Sequence, residues 1–198
     1  MDSQFVVECK FLIKDYACES EATVKGKHRE VTRRMTDAQL LAQVITDVYA
    51  SNSNHRDYSR HGDPLSRILK GVTAAKAAAK PKGATHSIWE LVLHIANWEE
   101  IALRRLRGET VEWVQDSQLD WPRVNETTSS DWTKALRRLS RANRALSLAV
   151  ANSTPAQLNK KVANRPYNNK VMLQGTIHHS LYHAGQIALL KKLEANPC

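Results

Sequence analysis

Ser87-Ile-Trp-Glu-Leu-Val-Leu-His-Ile-Ala-Asn-Trp98, running on without glycine or proline to Arg107, decides the fold class. Ser87 and Glu90 stand at capping-box spacing: the serine hydroxyl accepts from the amide three residues on, and the glutamate reaches back to the amide of Ser87. Behind that cap Leu91, His94, Ile95, Trp98, Ile101, Ala102 and Leu106 recur every three to four residues, which is one face of a helix. The run Arg104-Arg105-Leu-Arg107 and then Gly108 close it, because cations suit the negative end of the helix dipole and glycine suits the turn that follows. His94 therefore falls on the buried side of a long helix.

Working outward, a helix is expected from Thr36-Asp37, capped by one of the two, with Leu40, Leu41, Val44 and Val48 on one face. Two short pieces follow. Asp63-Pro64 opens one with Pro64 at its first helical position, and Thr73 caps another that Pro81 and Gly83 stop. Residues 109–129 lose the periodicity and hold Trp113, Trp121 and Pro122, as in a long ordered loop that walls or covers a bundle. After Ser130 and Asp131 a third long helix shows Trp132, Ala135, Leu136, Leu139, Ala142, Leu146 and Ala149, and Thr154-Pro155 ends it. A second loop, 157–169, leads to a last helix from Lys170 to Ala195, with Leu173, Thr176, Ile177, Ser180, His183, Ala184, Ile187 and Leu190 facing inward. Four amphipathic helices of this size predict an all-α four-helix bundle with long connecting loops over residues 37–198. Residues 1–36 show little helical spacing and read as a poorly structured N-terminal extension.

The chain has 198 residues, 42% of them hydrophobic and 25% charged, enough for one globular core. Cys9, Cys18 and Cys198 form no C-x-x-C pair, which argues against a disulfide framework or a zinc knuckle. Charges at Glu8, Lys10, Lys14 and Asp15 leave no signal-peptide pattern, and no apolar run is long enough to span a membrane, so the expected setting is cytoplasmic. The net charge of +9 includes a stripe of Lys134, Arg137, Arg138, Arg141 and Arg144 that could track phosphates. No aromatic residue interleaves with it and no helix-turn-helix pattern accompanies it, so a solvated helix face is the simpler reading. A basic nucleic-acid-binding helical protein is kept only as an alternative.

The chemistry lies in Gly175-Thr-Ile-His-His-Ser-Leu-Tyr-His-Ala-Gly-Gln-Ile187. His179 and His183 are four residues apart, one above the other on a helix, and can grip one metal ion. If His94 meets them, three imidazoles converge and leave coordination positions open, the form of a reactive centre rather than a closed structural one. His178 lies about 100° away around the helix. His28, His55, His61 and His86 sit in polar stretches and read as solvated. Gly175 and Gly185 flank the pair and suit close helix approach or ordinary tight packing. Glu90 belongs to the capping box, while Glu99 and Glu100 read as solvent-facing, so no general base is evident. Trp98 and Tyr182 could wall a substrate pocket or be plain core, and Gln186, one turn past His183, could hydrogen-bond to it.

The two quoted motifs, in this order, resemble the DinB-like family of damage-inducible bacterial proteins, also called DinB/YfiT-like metalloenzymes, over about residues 37–195. The resemblance implies a four-helix bundle, often dimeric, with a three-histidine site for a divalent metal, commonly nickel or zinc. Its ligand positions fall on His94, His179 and His183. Characterised members are similar to transferases or isomerases that use low-molecular-weight thiols. The expectation is a divalent-metal-binding protein acting on a small-molecule substrate as a metal-dependent hydrolase or thiol (S-)transferase, with a non-catalytic metal-binding protein as the alternative. Imidazole suits zinc, nickel and iron alike, so the donor type leaves the metal open.

Overall fold

Each long helix begins on a side chain that satisfies an otherwise orphaned amide. The computed structural model describes residues 35–50, 63–112, 114, 120–124 and 127–195. Thr36 and Ser87 form full capping boxes, with Gln39 and Glu90, at the starts of α1 (Asp37–Tyr49) and α4 (Ile88–Leu106). Thr128 accepts from the Asp131 amide at the start of α5 (Ser129–Ala151), and the Asn168 side chain accepts from the Val171 amide at 3.0 Å at the start of α7 (Asn169–Ala195). Between them lie the short helices α2 (Leu65–Ile68), α3 (Ala74–Ala78) and α6 (Pro155–Asn159). All the regular elements among the described residues are helical, and the fold is all-α.

The four long helices close a ring, because α5 packs on α1 and α4 while α7 packs on α4 and α1. Successive long helices α1 and α4 are thus diagonal, as are α5 and α7, and the order is not simple up-down-up-down. α2 and α3 carry the chain across the first diagonal and α6 across the second. The core runs through the ring: Leu91, Val92, Ile95, Leu139 and Ile187 are fully buried at one end, and Leu146, Val150 and Leu173 at the other. α4 ends as expected. Gly108 adopts φ +90, its amide donates to the Arg105 carbonyl at 2.9 Å, and the Glu109 amide donates to that of Arg104 at 3.0 Å, the paired bonds of a glycine C-terminal turn.

Several local expectations are corrected. The inward face of α1 is Ala38, Ala42 and Ile45, while Leu40 and Val44 are exposed. α1 lies against α5 through its small residues, and the Thr46 hydroxyl meets that of Ser147 at 2.7 Å. Pro64 caps α2 rather than opening it. Thr154-Pro155 starts α6 as a cap and first residue instead of only ending α5, because Thr154 and Gln157 form a third capping box. In the basic stripe, Lys134 pairs with Asp131 at 2.7 Å and Arg138 clasps both oxygens of Glu100 at 2.9 and 2.6 Å, so two of its five cations are already matched.

Residues 1–34 of the expected extension, Trp113, His28, His55, His61 and the three cysteines lie outside the described residues; Thr36, at the end of that extension, is the cap of α1.

Candidate metal centre

α4 and α7 are neighbours in the ring, and their inward stripes bring His94, His179 and His183 together. One ring nitrogen from each lies within 4.8 Å of the others. The Nε2 of His179 is 2.9 Å from that of His94 and 3.1 Å from that of His183. His94 and His183 are buried, and His178 is exposed, turned away as its helical angle requires.

The far nitrogens define what these Nε2 atoms present. Nδ1 of His94 is 2.7 Å from the Asp120 carbonyl oxygen, which only accepts, so Nδ1 carries the proton and Nε2 a lone pair. Nδ1 of His183 meets Oε1 of Gln186 at 2.6 Å with the same result, so Gln186 holds the ring where the sequence placed it. His179 is different, because its Nδ1 is buried and has no hydrogen-bond partner. If its proton is on Nδ1, three lone pairs face one another; if it is on Nε2, a bare acceptor is left buried on the other side. A single proton cannot take up three converging lone pairs, whereas a cation at the three Nε2 atoms can, with the His179 proton then on its buried Nδ1. The donor set therefore fits a divalent metal.

Electrostatics favour neutral ligands. Burial above all, with His183 and His94 adding to it, lowers the pKa of His179 from 6.5 to about 3. Burial also lowers His94 and His183, opposed in His94 by Asp120 and in His183 by Gln186. Neutral imidazole is the form that ligates.

The loop after α4, expected to wall the bundle with Trp121, completes the site, and Asp120 beside it has no helical spacing to mark it and was missed for that reason. Asp120 is buried; besides its carbonyl bond to His94, its Oδ1 accepts from Trp98 Nε1 at 2.8 Å and lies 3.3 Å from Nδ1 of His94. Trp121 stacks on His94, centroids 3.8 Å apart and planes 7° from parallel. His86 stacks on the other face of Trp121 at 3.5 Å, so it is half-buried packing rather than a solvated side chain.

These groups open onto a cavity of about 640 Å³ whose walls include Trp98, Arg105, Trp121, Tyr167 and Tyr182. Trp98 and Tyr182 thus line it as pocket residues, with Tyr182 exposed at 64% and its ring 5.0 Å from that of His183. Tyr167 arrives on the turn after α6, pinned by the Val162 amide donating to its carbonyl at 3.0 Å. Gly175 lines the cavity and Gly185 lies beyond it; a Cβ on either meets nothing within 4 Å, so neither marks a close approach inside the chain.

Glu99 overturns the solvent-facing expectation. It is 3% exposed, its Oε1 accepts from Asn143 at 3.2 Å and Ser180 at 3.4 Å, its Oε2 has no partner, and burial pushes its pKa up to about 8. Its place follows from spacing, four residues after Ile95 and three before Ala102 on the apolar stripe. Arg105, read in the sequence only as one of the cations that suit the helix dipole, is likewise buried at the cavity wall.

No described helix is long and apolar enough to cross a membrane. A family model described as DinB superfamily matches residues 57–187, a span that includes all three histidines. No curated protein and no solved structure matches the chain.

Proposed function

The chain belongs to the DinB superfamily, and on that footing we propose that it is a divalent-metal enzyme that transfers a low-molecular-weight thiol to a small-molecule substrate, with His94, His179 and His183 as ligands. Zinc and nickel are the candidate ions. The observation that carries the reading is the convergence of three Nε2 atoms at 2.9 and 3.1 Å, two of them fixed as lone-pair donors by Asp120 and Gln186. A divalent cation held there supplies acidification of a bound thiol or water near neutral pH.

The surrounding carboxylates favour the thiol over water. Asp120 is engaged by Trp98 and His94, Glu90 serves the cap and pairs with Lys80 at 3.0 Å, and Glu99 is turned to Asn143 and Ser180. Among the described residues none of these three is left at the histidines as a base for water. A thiol, with an ordinary pKa near about 8.5, needs less help to ionise. Metal-dependent hydrolysis is the second reading.

A homodimer is part of the proposal, and the outer face of α7 supports it. Leu189 and Leu193 are 59% and 51% exposed and recur on one stripe with Gly185. Small residues on an exposed apolar stripe allow a second helix to approach.

Elemental analysis of the purified protein and of His183→Ala tests the ligand set: about one divalent metal per chain in the first and loss of it in the second are expected, and equal metal in both removes the centre. A panel of thiols with electrophilic acceptors, run beside a panel of esters without thiol, then decides the reaction. Turnover that requires thiol supports the first reading, and ester cleavage without it the second.

A further inference from the structure

Arg105 is 7% exposed, and its guanidinium lies over the ring of Trp98, 5.9 Å from the centroid. It borders the same cavity as the three histidines. Among the described residues no ion pair or side-chain hydrogen bond engages this guanidinium. The ionisable groups acting on it are Tyr167, a phenol, and Arg165, a second cation. Arg165 directs its own donors at the carbonyls of Asn164 and Val111.

A guanidinium taken out of water without a counter-charge is unfavourable, and an aromatic face meets the plane of the group but none of its five N–H donors. Buried charges are normally paired. Among the described residues no carboxylate pairs with it, since Asp120 in the same wall is taken by Trp98 and His94, and the open side is the cavity.

We propose that Arg105 determines substrate specificity by pairing with the carboxylate of an anionic substrate whose reacting group lies at the histidines. This rests on the proposed metal centre for where the reaction occurs; the carboxylate site itself stands on Arg105. A carboxylate fits better than a phosphate dianion because one guanidinium faces the cavity, and its planar fork matches two carboxylate oxygens. The reach is also defined. His94, Trp98, Ala102 and Arg105 follow one another along one face of α4, and a helical side chain leans toward the N-terminus of its helix, here toward Trp98 and the histidines. The Trp98 ring is 5.8 Å from the ring of His179 and 5.9 Å from the Arg105 guanidinium, so it neighbours both. The substrate is then a monocarboxylate with a compact apolar body, lying along Trp98, Ala102 and Met172.

The test titrates full-length protein of measured metal content with phenylacetate and 3-phenylpropionate, and with their neutral amides, by calorimetry and by the arginine Nε–H resonances. The acids should bind at least about tenfold tighter than the amides. Arg105→Met should abolish that preference with metal content unchanged, and Arg105→Lys, which keeps the charge without the fork, should retain part of it. Because a carboxylate can also ligate a metal, His183→Ala is the control. A preference that survives in His183→Ala and disappears in Arg105→Met puts the acid on Arg105. A preference lost in His183→Ala but kept in Arg105→Met overturns the proposal, as does the absence of any preference in the wild-type protein. Should Arg105→Met not fold, the wild-type resonance missing from Arg105→Lys must shift on adding acid and not amide; no shift overturns it. Equal metal in wild type and His183→Ala with the acid preference intact removes the metal centre and leaves this site standing.

Discussion

Asp120 holds His94 from behind: its carbonyl accepts from Nδ1 at 2.7 Å, and its side chain, by accepting from Trp98 at 2.8 Å, fastens the loop that carries that carbonyl. A residue outside every helix thus sets the tautomer of a proposed ligand on α4. Such outer partners typically change metal affinity by 10–100-fold, as an order of magnitude. Asp120→Ala should therefore weaken zinc or nickel binding by about that factor in a competition titration against a chromophoric chelator. An unchanged affinity would show that the loop does not position His94.

The metal-free protein should lose stability in acid. The pKa of His179 falls from 6.5 to about 3 on folding, so between those values the unfolded chain takes up a proton that the folded chain refuses. This contribution is complete above the unfolded value and is lost as pH falls through the window. Going from pH 7.5 to 5 in the presence of chelator, His179 should account for about 2 kcal/mol of lost unfolding free energy. Urea titrations of wild type and His179→Gln check this, and parallel pH profiles would contradict it.

Glu99 acts with the opposite sign. Its pKa rises from 4.5 to about 8 on folding, so the folded chain holds a proton that the unfolded chain releases, and stability declines as pH climbs between the two. Glu99→Gln keeps the shape without the charge. Its advantage over wild type should grow by about 3–4 kcal/mol between pH 5 and pH 8 in chemical denaturation. Equal stability at both pH values would mean that the carboxyl is solvated.

Leu189→Glu places a charge in the middle of the outer stripe of α7, where the wild-type side chain is 59% exposed. Light scattering coupled to size exclusion should give a dimer for wild type and a monomer for the variant, with the helical circular dichroism unchanged. A wild-type monomer at micromolar concentration would rule this face out.

What could be read in advance was whatever spacing along a helix determines. His94, His179 and His183 were legible because three- and four-residue intervals place each on a face, and Ser87 with Glu90 because a capping box is local. Gln186 was legible for the same reason. Glu99 obeyed the spacing too, but its residue type argued for solvent and outweighed its position. Arg105 was passed over similarly, since a cation near a helix C-terminus already had a local explanation. Asp120 and the stacking of Trp121 between His86 and His94 depend on where an aperiodic loop lands, which nothing local encodes.

The chain order around the ring has one more effect. His94 and His179 are 85 residues apart in sequence, and the whole of α5 is synthesised between them before the two can meet. No fragment ending before α7 assembles the trio, so on the proposed function the ion can be captured only once the last helix has joined the bundle. Such a link would tie α4 to the last helix, and releasing the ion should then require parting these two core helices rather than fraying a loop.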